Sequence, residues 1–551
     1  MSYTYHSRVF SLALAAIIHT AAWGQTSVNS EEALRQAITD ATAAATVTLD
    51  ADITLTGDGC LTIEAGKDIT LDLNGHSITA NKDVILNYGK LTLTDNSEGK
   101  TGGLVSNTAT GIAMCNNSTT VIAAGSITAV EGCVITGYAT GASLTVNGGT
   151  FTCTDNAVIA GNGSAKWPDG TPRETPNTIT INGGTFNGNI KSAGYVACGI
   201  YCPWKDKITV TGGTFNITGG AGIVSRSGTV TVTGGTFNCT GNATGMVGDS
   251  RVVVPCSPVV FDTQANYPSL SDDSKIEVTA GTFTSENGIP VMVVAKAEDA
   301  AQRVAVSGGS YSAPVSQAYC KDGFTTSLNP DGTYGVSTTF TVLDNKPLTI
   351  QPTDNFTVAT ATYTRAMPAG THWGTVCLPF NIKQTEAVKL YTVADISGNV
   401  LHLTEQESVA AGTPAVFYTE GTEAVFTTAG ATVSGALPAT SGTLVGTFSN
   451  AVISGEALAN AYFINSDAFH QARVSLTVPA YRAYIIYNVS QATKPSVLVI
   501  DNSTTGITER RNDASATAEA YYSANGIRRN TAAKGINIVR LSNGRTVKVV
   551  K

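Results

Sequence analysis

The chain has 551 residues, 42% of them hydrophobic and only 13% charged, with 56 glycines, ten cysteines and a net charge of −8. Charge is about half of the roughly 25% usual in soluble proteins, while the apolar content is too high for a disordered chain. Without a basic field the chain is excluded as a nucleic-acid binder. Many apolar strands separated by glycine turns, with little acid–base chemistry, are what remain.

The N-terminus carries Arg8, an apolar run from Val9 to Ile18 and the small-x-small site Ala22-Trp23-Gly24. That pattern is a secretory signal peptide over residues 1–24, so the mature protein is expected outside the cytoplasm or on the cell surface. No later stretch is long and apolar enough to span a membrane as a helix. Next, Ser30-Glu31-Glu32-Ala33-Leu34-Arg35-Gln36-Ala37-Ile38 has the form of a capped amphipathic helix.

A repeated phrase then takes over. It occurs as VNGGTF at Val146–Phe151, INGGTF at Ile181–Phe186, VTGGTF at Val210–Phe215 and at Val232–Phe237, VTAGTF at Val278–Phe283 and VSGGSY at Val306–Tyr311. Degenerate forms precede it at Ile69–Gly75 and Thr120–Gly125. The second Gly recurs at intervals of 35, 29, 22, 46 and 28 residues. Apolar residues at i and i+2 stand before each Gly pair, as in Ile208/Val210 and Val230/Val232. An aromatic follows each pair, and Cys153, Ile217 and Cys239 stand two residues further on. A third short strand comes next, assigned to Gly222-Ile223-Val224 and, one repeat on, to Gly245-Met246-Val247. Three short strands in the 22-residue repeat suit one coil of a parallel β-helix, whereas a propeller blade needs four strands and about 40 residues.

About ten coils stacked at about 4.8 Å make a rod of roughly 50 Å. The aromatic becomes an interior ladder, each ring contributing on the order of 2–3 kcal/mol through buried area. Glycine answers either crowding or a positive φ at the corner. The cap helix covers one open end, and Asn329-Pro330-Asp331-Gly332 turns a hairpin at the other. The even count of ten Cys invites disulfides, but several stand where neighbouring repeats carry Ile, Val or Met, so buried free thiols are expected.

The segment Ser30–Thr79, a cap helix followed by LDLNGHSIT, resembles right-handed parallel β-helix proteins of the pectin-lyase-like class. The GGTF coils look like the adhesin-like versions common in exported Bacteroidetes proteins. That resemblance implies the fold but no particular activity.

After Tyr334 the repeats end. Residues 338–501 are rich in short strands, with the phrases Tyr363-Thr364-Arg365, Trp373–Phe380, Ala411-Gly412-Thr413-Pro414 and Tyr481-Arg482-Ala483-Tyr484. They read as a β-sandwich and are similar to an all-β module often found behind such β-helices. Residues 502–518 are a polar linker. The ending, 519–551, forms a hairpin around Ser542-Asn543-Gly544 and looks like a type IX secretion sorting domain. The expected architecture is therefore all-β: leader 1–24, β-helix with cap helix 25–337, sandwich 338–501, linker and terminal hairpin.

Insertions in the long repeats fall at Asn162–Asn177, Tyr201–Lys207, Gly248–Lys275 and Ala295–Arg303, all assigned to the corner between the third strand and the next coil. Stacked there, Trp167, Asp169, Arg173, Trp204, Lys205 and Asp206 are the candidate ligand-binding residues, the two Trp offering a platform for a sugar face. The same tryptophans also fit a reading as local packing under loops that shield the sheet edge. Asp262 falls in one of these loops, and Asp272-Asp273 in the same loop fits a solvated turn. For catalysis Glu131 and Asp155 stand in adjacent coils, where Asp169 or Asp206 could approach, but no spacing enforces a carboxylate pair. The four His of the mature chain, His76, His372, His402 and His470, are dispersed, and no cysteine spacing signals zinc. No cofactor is implied. The expectation is a non-catalytic, adhesin-like scaffold that binds a polysaccharide or cell-surface glycan. A β-helix lyase or glycosidase, or a purely structural rod, are the alternatives.

Overall fold

The computed structural model describes residues 25–161, 175–189, 198–241, 256–262, 274–294, 300–489, 494–501, 518–523, 526–542 and 546–550. The expected leader, and Trp167, Asp169, Arg173 and Gly245–Val247, lie outside the described residues.

Residues 25–337 form a parallel β-solenoid of three sheets. The first has eleven strands, the third nine, and the second twelve, including the closing hairpin. One coil contributes Lys207–Val210 to the first sheet, Thr214–Thr218 to the second and Ala221–Ser225 to the third. The next coil repeats the register, with Ile208 opposite Val230 and Phe215 opposite Phe237. Apolar side chains at alternate positions of all three sheets fill one continuous core.

The aromatic ladder runs through this interior. Phe151, Phe186, Phe215, Phe237 and Phe283 are fully buried, and Tyr311 ends the row at 1% exposure. Consecutive centroids lie 4.4–5.2 Å apart with interplanar angles of 4–12°. The strand spacing dictates this parallel stacking, since rings on in-register strands have no freedom to turn edge-on. Gly188 takes the place that Ile217 holds one coil on, and a Cβ there would come 3.0 Å from Ile217 Cδ1.

The two glycines of each pair have different reasons. A Cβ on the first, at Gly212 or Gly234, would collide with the carbonyl of Asn182 or Thr211 in the coil below. The second takes positive φ, 94° at Gly213 and 97° at Gly235, a conformation that costs a side-chain-bearing residue.

Both ends are closed. The helix Glu31–Asp40 is capped by Ser30, whose hydroxyl accepts from Ala33 N, and it buries Leu34 and Ile38 in the solenoid core. At the far end, Thr325–Leu328 and Tyr334–Ser337 form an antiparallel hairpin that pairs with Ser310–Tyr311.

Two expectations change. The third strand of the coil after Ala221–Ser225 is Val259–Asp262, not Gly245–Val247, because Ile223 pairs with Val259 and Val224 with Val260. The described chain accordingly breaks off after third strands at Gly161, Asp262 and Val294, and after second strands at Asn189 and Gly241, so the inserted residues begin at two points of the coil rather than one.

The second half is the expected all-β domain. A three-stranded sheet, Thr339–Val342, Asn355–Ala366 and Glu423–Ser434, covers a ten-stranded sheet. Phe340, Val358, Tyr363 and Phe426 of the small sheet share a core with Val376, Leu390 and Phe417 of the large one. The large sheet buries its other face too, around Leu401, Tyr462, Phe469 and Leu498. It curls so that Thr375 Oγ1 donates to Ala483 O and accepts from Ala483 N, each at 2.9 Å. The C-terminal hairpin, Ile536–Leu541 with Thr546–Val550, is extended to four strands by Ala518–Ser523 and Arg528–Arg529.

All ten cysteines are free and eight are buried. Burial pushes the thiols of Cys133, Cys198 and Cys202 well up, and those of Cys320 and Cys377 up to about 12. In thiol titration of the native protein, only Cys60 should react at once, and denaturation without reductant should expose all ten; a lower total would mean disulfides. Phe215→Ala opens a cavity in the middle of the ring stack and should cost about 3–5 kcal/mol in denaturant unfolding. A cost below about 1 kcal/mol would place the ring outside the core.

Candidate functional site

The corner that turns from the third sheet back to the first is stitched by buried polar groups. Asn177 is fully buried. Its side chain accepts from Ala142 N at 3.0 Å and donates to Ala139 O at 3.2 Å. Its own N–H donates to Asp206 Oδ1 at 3.0 Å. One coil on, Thr229 N donates to Asp206 O at 3.0 Å. The Ser227 and Ser274 hydroxyls lie 3.2 Å apart, and Gly228 N donates to Ser274 Oγ at 3.1 Å. Each corner thus satisfies backbone groups of its neighbour that the sheets leave over, which burial would otherwise make costly.

Three expected ligand-binding residues belong to this corner. Trp204 is 3% and Asp206 1% exposed, and Lys205 between them faces solvent. Asp206 holds the turn through the Asn177 N–H and its own carbonyl. A Cβ on Gly161 would come 2.7 Å from Asp206 Oδ2, so the backbone passes close over the carboxylate.

A second cluster, which sequence reasoning missed, lies beside it. Tyr201 and Ser225 are on adjacent strands of the third sheet, and Ser225 pairs with Phe261. Arg226 and Asp262 directly follow those paired residues, so the register brings them to neighbouring positions on adjacent coils. Arg226 Nη1 donates to the Tyr201 hydroxyl at 3.0 Å. All three are buried, at 7%, 3% and 0% exposure for Tyr201, Arg226 and Asp262. Burial pushes the Tyr201 phenol up to about 12, against the pull of the Arg226 guanidinium. The nearby residues Ala160, Val224 and Val260 form a buried apolar cluster with Tyr201. Asp262, expected in a loop, instead ends a strand. The one available signal was the third-strand alternation through Ile223-Val224-Ser225-Arg226, which the glycine-rich sequence around it obscured.

Of the two carboxylates considered for catalysis, Glu131 is exposed and Asp155 half-buried. Asp155 N donates to Val130 O at 3.1 Å, which places it one coil beyond Glu131. Among the described residues no group of three His, Cys, Asp or Glu side chains is arranged to hold a metal ion.

The fold defines a parallel β-solenoid protein with a C-terminal antiparallel-sheet domain. No family model, curated protein or solved structure matches the chain.

Asp206→Ala removes the acceptor for Asn177 N. It should destabilise the protein by about 1–3 kcal/mol in chemical denaturation. A variant of unchanged stability would release Asp206 from this structural duty.

Proposed function

We propose that the protein is an exported, non-catalytic, adhesin-like scaffold that presents its solenoid to a glycan. The observation that carries this reading is the pair of polar ladders on the outside of the coils. Asn238 Nδ2 donates to Asn216 Oδ1 at 3.0 Å, and Asn216 Nδ2 to Asn187 Oδ1 at 3.1 Å. Alongside the Gly pairs, Thr211 Oγ1 donates to Asn182 Oδ1 and Asn182 Nδ2 to Asn147 Oδ1, both at 2.9 Å. These side chains are exposed or half-buried. Amides and hydroxyls repeated at about 4.8 Å offer donors and acceptors without net charge, a chemistry matched to the hydroxyls of a regular polysaccharide. The leader at 1–24 supplies export in this reading, and the sorting-like terminal sheet supplies surface retention.

The test is a glycan array with the mature chain, run beside reducing-end and unsaturated-product assays. The expected result is retention on at least one polysaccharide with no depolymerisation, weakened about tenfold by Asn216→Ala/Asn238→Ala at unchanged stability. Depolymerisation would replace this reading with a carbohydrate-active enzyme. Absence of binding across the array would leave the structural rod.

A further inference from the structure

Three of the four phrases that mark the second half in the sequence, Tyr363–Arg365, Trp373–Phe380 and Tyr481–Tyr484, meet at one place. Trp373–Val376 pairs antiparallel with Ala415–Tyr418, putting Gly374 opposite Phe417. Tyr363 and Arg365 lie on one side of the strand Asn355–Ala366, and Tyr363 is buried in the core between the sheets. Arg365 therefore points inward at the end of that core. Gly374 makes room for it, since a Cβ there would overlap the Phe417 ring and come 3.1 Å from Arg365 Nη1. The guanidinium carbon lies 5.5 Å from the Phe417 centroid, and Nη1 donates to Thr375 O at 3.0 Å.

Arg482 approaches from the strand region that follows Tyr481. A cavity of about 260 Å³ is lined by Arg365, Arg482, Thr375, Phe463, Leu476 and Pro479, among others. Its charges do not balance. Arg482 Nη2 is 2.7 Å from Asp344 Oδ1, and the Tyr363 hydroxyl donates to the same oxygen at 2.6 Å. Arg482 also donates to the Tyr363 hydroxyl and to Asn345 Oδ1. Asp344 is thus committed to Arg482 and Tyr363. Among the described residues Arg365 has no carboxylate within ion-pair distance. Burial, and after it the Arg482 charge, pull Arg365 down to about 10, so it stays protonated at neutral pH.

We infer that this cavity binds a carboxylate carried on a small organic group. Arg365 supplies the guanidinium fork that meets a carboxylate in a paired geometry. Arg482 reinforces the positive field, and the Phe463, Leu476 and Pro479 wall takes the apolar part of the ligand. A uronic acid residue and an acidic amino acid both present that chemistry. The site is separate from the solenoid faces and does not rest on the glycan reading.

Isothermal titration of the full mature chain at low salt tests it, with glucuronate and glutamate as probes, glucose and glutamine as their neutral counterparts, and sulfate as a competing anion. The expected result is saturable binding of at least one carboxylate and none of its neutral counterpart. Glucuronate or glutamate then names the source. Arg365→Gln should weaken that binding at least about tenfold, the scale of a lost charge-assisted pair, at unchanged thermal stability. Arg365→Lys keeps the charge and should retain part of the affinity, which covers the case in which Arg365→Gln fails to fold. Absence of carboxylate binding, sulfate binding as tight as the carboxylate, or equal affinity in both variants would overturn the assignment.

Discussion

Parallel pairing of coil on coil is the constraint from which the rest of the solenoid follows. Each strand of the first sheet hydrogen-bonds its equivalent in the next turn without slipping, as Ile179 with Ile208 and Ile208 with Val230. The spacing of about 4.8 Å then sets every residue against its own counterpart. Inside, that favours identical apolar shapes, and the rings from Phe151 to Tyr311 become a single stack. At the corner a Cβ beneath the neighbouring carbonyl would collide in most coils, so glycine prevails there, with Ala280 holding the position in one coil. Outside, a charge repeated coil after coil would face its like at about 4.8 Å, costing ~1 kcal/mol per step even in water. Asn and Thr avoid that repulsion and hydrogen-bond along the row instead. Low charge and abundant glycine are thus consequences of one geometric rule.

What that rule reaches was readable from the amino-acid order. The GGTF phrase, the alternating Ile/Val pairs before it and the cap helix all correspond to local periodicity, and the structure reproduces them. The third strand was readable only where the repeat is shortest. Gly245–Val247 has the same apolar look as Gly222–Val224, yet Val259–Asp262 holds the place. Short apolar strands are interchangeable in sequence, and only pairing with the adjacent coil decides between them. The same limit hid the site residues. Trp204 and Asp206 carry the chemistry of ligand contacts, yet both are buried, Asp206 as an acceptor for the leftover N–H of Asn177. Arg226 and Asp262 become neighbours only through a register that crosses an insertion.

The two halves present different chemistry. The solenoid offers long, repetitive rows of Asn and Thr on its outer faces. In the antiparallel domain Arg365 and Arg482 line one cavity, and the carboxylate beside it, Asp344, is committed to Arg482. Its conspicuous phrases, Tyr363–Arg365, Trp373–Phe380 and Tyr481–Tyr484, are distant in sequence and adjacent in space. Gly374 connects them physically, since its missing side chain is what lets an arginine lie against Phe417.

The central claim is the register of the coils, and an engineered cross-link tests it most directly. Thr209 and Thr231 are paired, half-buried residues on the outer side of the first sheet. In-register Cα atoms about 4.8 Å apart fall within the span of a disulfide. Under mild oxidation, Thr209→Cys/Thr231→Cys should form an intrachain disulfide readily, identified by peptide mass spectrometry. Thr209→Cys/Thr229→Cys, displaced by two residues along the strand, should not. Equal cross-linking of both variants, or cross-linking of the displaced pair alone, would contradict the stacking on which the account rests.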